Sequence, residues 1–169
     1  MQSVWMGLAV FSVMTFGLMR PTLAEPLKLE DYFAGETKAT GSFSAINGLK
    51  RSFKVDLHGR FDGKVLTLVE DFHYADGERD RKTWRFVKTS PTTYRGTRED
   101  VVGETTVRID GAVATFTYLV DLPGKTKPMR VRFHDRMELK EGGRLENTAI
   151  VTKWGFPVAL TRVSFTRPK

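Results

Sequence analysis

Turn-forming pairs recur along the chain at about ten-residue intervals, a spacing that suits short strands and leaves no room for long helices. Asn47-Gly48, Asp62-Gly63, Asp76-Gly77, Ser90-Pro91, Asp110-Gly111, Pro123-Gly124 and Gly142-Gly143 all fall between runs of alternating apolar and polar residues. The runs cover 37–46, 50–59, 64–74, 79–88, 93–100, 104–110, 112–122, 128–139, 144–154 and 158–167. Alternation sends successive side chains to opposite faces of a strand, so each run has one face for a core. Tight hairpins between successive long strands specify a meander, and a meander of about 8–10 strands covers its edges most simply by closing. The predicted fold is all-β, an up-and-down antiparallel barrel, with a two-sheet sandwich as the alternative. An interior of about eight strands has room for one small ligand. Leu27 to Phe33, with its Leu-x-x-Tyr-Phe pattern, is expected to form one helical turn that plugs an end.

The first residues obey different rules. Val4 to Met19 is an uncharged apolar run, shorter than the roughly 18 residues expected of a spanning helix. Arg20 and Pro21 end it, and Thr22-Leu23-Ala24 places small residues at the alternate positions that signal peptidase accepts. Residues 1–24 are therefore expected to be a signal peptide and residues 25–169 a single barrel domain, exported to the periplasm. No Lys or Arg precedes the apolar run, which keeps an uncleaved N-terminal membrane anchor as the alternative.

The chain contains no cysteine, which excludes disulfides, thiol catalysis and a lipoprotein anchor. Its net charge of +7, or one less without Arg20, is compatible with solubility and with contact at an anionic membrane surface. A membrane-spanning barrel conflicts with Arg130, Arg132, His134 and Arg136, which occupy the face opposite Val131 and Phe133.

Several strands carry polar residues in the apolar phase. Glu70 follows Leu66 and Leu68 and precedes Phe72, and Asp135 interrupts Val131, Phe133 and Met137. Asn147 and Lys153 share a phase with Leu145, Ala149 and Val151, while Tyr94 is followed in phase by Gly96, Arg98 and Asp100. Buried charges require partners or shifted pKa values. Arg98 and Lys153 are therefore the expected neutralising groups. Such a set either fixes strand register or supplies the few polar groups of an apolar pocket. Arg81 and Trp84 lie three apart, so a bulge is needed to place the guanidinium over the indole as a clamp at the rim.

Gly41-Ser42-Phe43, Leu66-Thr67-Leu68-Val69-Glu70-Asp71-Phe72, Tyr74-Ala75-Asp76-Gly77-Glu78, Arg81-x-x-Trp84, Tyr94-x-Gly96, Asp100-Val101-Val102-Gly103, Leu145-x-Asn147 and Lys153-Trp154-Gly155 run in order across the chain. As a set they resemble the bacterial domain of unknown function 3833 family. The resemblance implies a small exported envelope protein with a lipocalin-like (calycin-like) barrel, and no established activity or catalytic residues. Its association with fatty-acid-modifying enzymes points to acyl chains as ligands. The chain departs from many relatives in lacking a lipoprotein cysteine and in placing Arg136 between Asp135 and Met137 where some have tryptophan.

His58, His73 and His134 have no metal-ligand spacing, and there is no nucleophile elbow, phosphate-binding glycine loop or dinucleotide fingerprint. No metal, cofactor or nucleic-acid partner is expected. The functional expectation is capture of a small hydrophobic or amphipathic ligand, a fatty acyl chain or lipid. Glu70, Arg98, Asp135 and Asn147 would hold its polar end, and Phe72, Trp84, Tyr94 and Phe133 its apolar part. The alternatives are a lipid-modifying enzyme using the same carboxylates, and a non-catalytic structural or regulatory envelope protein.

Overall fold

A computed structural model describes residues 26–123 and 128–168. The expected signal segment and its cleavage point lie outside them. One helical turn, α1 (Leu29–Phe33), is followed by ten strands: β1 (Gly35–Ala45), β2 (Lys50–Phe61), β3 (Val65–Tyr74), β4 (Arg79–Ser90), β5 (Thr93–Thr97), β6 (Thr105–Asp110), β7 (Val113–Leu122), β8 (Met129–Leu139), β9 (Leu145–Lys153) and β10 (Phe156–Thr166). Each pairs antiparallel with the next, and β1 pairs with β10 to close the barrel, from Lys38 opposite Thr166 to Ala45 opposite Ala159. Closure removes both edges that an open meander would expose.

The turns form for local reasons. Between β2 and β3, Asp62 Oδ1 accepts hydrogen bonds from the amides of Lys64 at 2.9 Å and Val65 at 2.7 Å, and Gly63 adopts φ +97°, which a side chain would oppose. Two boundaries differ from the alternation. The fifth strand ends at Thr97, so Arg98 and Asp100 belong to the connection that follows it. The last strand begins at Phe156 but shifts register at Val158, where a bulge absorbs the extra residue.

One end is sealed. Leu27, Leu29, Tyr32 and Phe33 are buried in a core with Leu57, Leu66, Phe86, Val107, Leu145 and Phe165. The Tyr32 hydroxyl donates to the Phe165 carbonyl at 3.0 Å and accepts from the Leu145 amide at 3.2 Å, so one side chain ties α1 to two strands. At Gly59 a Cβ would lie 1.8 Å from the Phe33 carbonyl oxygen, which makes glycine necessary where the plug crosses β2. The opposite end, where β1, β3, β5, β7 and β9 finish, forms the mouth.

Candidate functional site

Parity along the strands brings most of the polar set inward. Glu70 on β3 faces the interior opposite Leu57 and Lys82, two residues from Phe72. Asp135 on β8 lies opposite Phe116 and Ala149, with Phe133 two positions nearer the mouth and opposite Tyr118. Only 9% of Glu70 and 6% of Asp135 is exposed, so both carboxyls are out of bulk water.

Arg98 holds the charged part together. Its guanidinium makes a two-pronged bond to Asp100, at 2.6 and 3.2 Å, and its Nη1 lies 4.0 Å from Glu70. The same guanidinium stacks over Trp84 at 4.8 Å and Tyr118 at 5.7 Å. Lys82, 3.6 Å from Asp100 and 3.1 Å from Asp80, extends the network toward the mouth. On the other wall the Asn147 amide donates to Asp135 Oδ1 at 2.6 Å. Asp135 Oδ2, Asn147 Oδ1 and the Thr161 hydroxyl are buried without a hydrogen-bond partner. Asp135 and Thr161 face each other across Ala149, the small residue between them on β9.

Burial dominates the titration of these groups. It pushes Glu70 up to about 7; Arg98 opposes the shift, while Glu99, Asp100 and Asp135 add to it. It pushes Asp135 up to about 6, against the Asn147 amide and the neighbouring Tyr118 hydroxyl. Burial also raises Tyr118 well above an ordinary phenol. Arg98 stays protonated: burial disfavours its charge, but Tyr118, Glu70 and Asp100 outweigh that cost.

Aromatic rings occupy the middle of the barrel. Trp84 stacks on Phe86 at 5.0 Å and meets Tyr118 edge-on at 5.2 Å, and Tyr118 stacks on Phe116 at 5.7 Å and Phe133 at 5.4 Å. The inward side chains that remain half-buried include Phe43, Phe72, Tyr74, Phe133, Val158 and Val163. Phe43, Phe72, Tyr74 and Val158 of this set form an apolar rim at the mouth beside the polar network, while Phe61 and Leu139 are half-buried at the plug end. A separate groove of about 610 Å³ runs outside the interior, along β1 to β4, among charged residues such as Lys38, Asp56 and Arg79.

Six of the expected site residues, Glu70, Arg98, Asp135, Asn147, Trp84 and Phe133, converge in this way. Phe72 sits nearer the mouth, against Phe53 at 5.6 Å and Tyr74 at 6.0 Å. Tyr94 belongs to the plug: its hydroxyl donates to Glu30 Oε2 at 2.6 Å, and Lys88 pairs with the other oxygen. Burial opposes ionisation of Glu30, yet the bonds from Lys88 and Tyr94 hold it below the usual carboxylate range. Lys153 does not neutralise the carboxylates; its ammonium lies over the Trp154 ring at 4.6 Å. Arg81 is not the clamp on Trp84. It faces outward and binds Asp71 at 2.5 and 3.0 Å, leaving the indole to Arg98. Thr161 escaped the sequence reading because its phase on β10 is interrupted by the bulge at Val158. The histidines lie on the outer wall, with His73 3.1 Å from Asp56 and His134 between Thr117 and Thr152.

The sequence model of the family described as "Protein of unknown function (DUF3833)" matches residues 7–167. The chain belongs to this family. No curated protein matches it. Among solved structures it is similar to Rv2717c from M. tuberculosis, with TM-score 0.57 and 13% identity over 81% of this chain and 93% of that one. It is also similar to the S-type phycobiliprotein lyase CPES from Guillardia theta, with TM-score 0.55 and 11% identity over 85% and 94% of the two chains. At these identities the likeness establishes the lipocalin-like barrel fold of this DUF3833 member and nothing of its chemistry.

Proposed function

We propose that this DUF3833 protein is exported to the periplasm and captures a small amphipathic molecule carrying a fatty acyl chain at the mouth of its barrel. The observation that carries the reading is a set of buried polar groups left without partners beneath a half-open aromatic rim. Asp135 Oδ2 and Asn147 Oδ1 are acceptors for which the neighbouring Tyr118 hydroxyl is the one donor at hand. With Asp135 ionised, the Asn147 amide nitrogen must face it, so the amide oxygen points elsewhere. The single proton of Tyr118 can serve only one of these acceptors. A buried acceptor left unmatched costs about 1–3 kcal/mol, which a hydroxyl, amide or ammonium on the ligand would recover. Arg98, the natural partner for a free fatty-acid carboxylate, is already engaged by Asp100 and Glu70. The ligand's polar end therefore supplies donors, and its chain packs against Phe43, Phe72 and Phe133 with about 0.8 kcal/mol from each buried methylene.

Displacement of a fluorescent acyl probe tests this. Alcohols, amides and amines of one chain length are expected to bind at least about tenfold more tightly than the matching carboxylate, one unmatched hydrogen bond being worth about that factor. The Asp135→Asn variant is expected to narrow the difference. Equal or tighter binding of the carboxylate contradicts the assignment of the polar end, and failure of every chain to bind contradicts capture itself.

A second reading rests on a different observation. Glu70 and Asp135, at about 7 and about 6, are poised to exchange protons near neutral pH, as general acid–base catalysis requires. In a lipid-modifying enzyme Glu70→Gln abolishes turnover of a bound ligand; in a carrier it only weakens capture.

A further inference from the structure

Among the described residues, the large apolar side chains that face solvent are distributed unevenly. Ile46, Leu49, Val102, Met129, Trp154 and Phe156 all belong to the mouth end, and Ile150, on the wall of β9, is the exception. The strongest concentration is on two neighbouring hairpins. Ile46 is 79% exposed, Trp154 87% and Phe156 73%, and the Ile46 amide donates to the Val158 carbonyl at 2.9 Å, so the β1–β2 and β9–β10 tips stand side by side.

Trp154 has φ +52°, a left-handed conformation that costs a bulky residue energy and holds its ring away from the barrel wall. Exposing a tryptophan in a strained turn brings the folded protein no packing. Both tips are also basic. From Ala45 to Arg51 and from Thr152 to Pro157 the chain carries Lys50, Arg51 and Lys153 and no acidic residue; Arg51 is paired with Asp76 and Glu78 of the β3–β4 turn, so the positive charge presented at the tips is that of Lys50 and Lys153. Lys153 stacks over the Trp154 ring, so cation and indole are presented together.

We propose that the two adjoining tips are a docking surface for an anionic lipid bilayer, with Trp154, Phe156 and Ile46 inserted at the interface. Aromatic side chains prefer the headgroup level of a membrane, and lysine and arginine beside them are drawn to anionic lipid. Lipid matches the combination of protruding apolar side chains and positive charge better than a flat protein partner does. Docking in this orientation turns the open end of the barrel toward the bilayer and leaves the plug facing water. Docking through these tips does not require that the interior binds a ligand.

The absence of cysteine permits a direct test. An environment-sensitive dye is attached to Asn47→Cys, between Ile46 and Leu49, or to Glu141→Cys at the plug end, in protein purified from cells. With phosphatidylglycerol-containing vesicles the dye at position 47 is expected to shift to the blue and the dye at position 141 to stay unchanged. Phosphatidylcholine vesicles, or high salt, are expected to weaken the response. Trp154→Ser combined with Phe156→Ser should lower vesicle affinity at least about tenfold, through loss of two large apolar anchors. Because both side chains face solvent, the substitutions leave the core intact. An unshifted dye at position 47, an equal shift at both positions, or unchanged affinity of the double variant overturns the proposal. A wild-type protein that ignores vesicles and binds another protein through this tip overturns it as well.

Discussion

Glu70 and Asp135 carry the electrostatic cost of the site. Glu70 has its folded-state pKa raised from 4.5 to about 7, so the folded protein holds a proton that the unfolded chain has released across that interval. The resulting contribution to stability is present below pH 4.5 and is lost as pH rises toward 7. Asp135 adds a shift of the same sign between 3.8 and about 6. Wild-type melting temperature is therefore expected to fall between pH 4.5 and 7, and Glu70→Gln to flatten that decline by on the order of 3 kcal/mol. A variant with an unchanged slope removes Glu70 as its source. Arg98→Met should act in the opposite direction. It leaves the buried Glu70 without its cation and half-buried Asp100 with Lys82 alone at 3.6 Å, a loss of about 3 kcal/mol readable by urea unfolding at pH 7.5. These two carboxylates were legible in the sequence because parity alone sends them inward. The role of Tyr94 was not, since its inward phase is shared with the plug and its partner Glu30 arrives from a helical turn far away in the chain.

The elements show where alternation informs and where it stops. Every run bounded by turn pairs became a strand, because a strand with one buried face tolerates few departures from period two. Neighbours on different strands are another matter: register and barrel tilt decide which inward side chains meet, and neither is written in any single run. Arg98 illustrates the limit. It keeps the phase of Tyr94 and Gly96, yet lies beyond the end of β5, where the connection aims it at Trp84 and Asp100. Arg81 stands one position out of phase with Lys82 and Trp84, and a regular strand without a bulge turned it outward to Asp71. The plug depends on a single close crossing. Gly59→Ala must push α1 off β2, so we expect a loss of about 1–3 kcal/mol and faster proteolysis of the segment before β1. Retained stability with a protected N-terminal segment contradicts the packing described for that crossing.

At the level of the molecule the barrel is polarised. One end is sealed by α1, the middle is filled by stacked rings beside a charged network that reaches toward the mouth, and the other end combines half-buried aromatics with exposed apolar tips. A protein built only for stability has no need of acceptors short of donors in its interior, or of a strained tryptophan at its rim. Both features fit a vessel that receives a guest through its mouth. Native mass spectrometry of the protein purified from cells tests that claim most directly. The account predicts an additional bound mass, released on unfolding, that belongs to an acyl-bearing molecule with a hydroxyl, amide or amine, and reduced occupancy in Asp135→Asn. A protein that carries no such mass, and acquires none when offered these compounds, contradicts it.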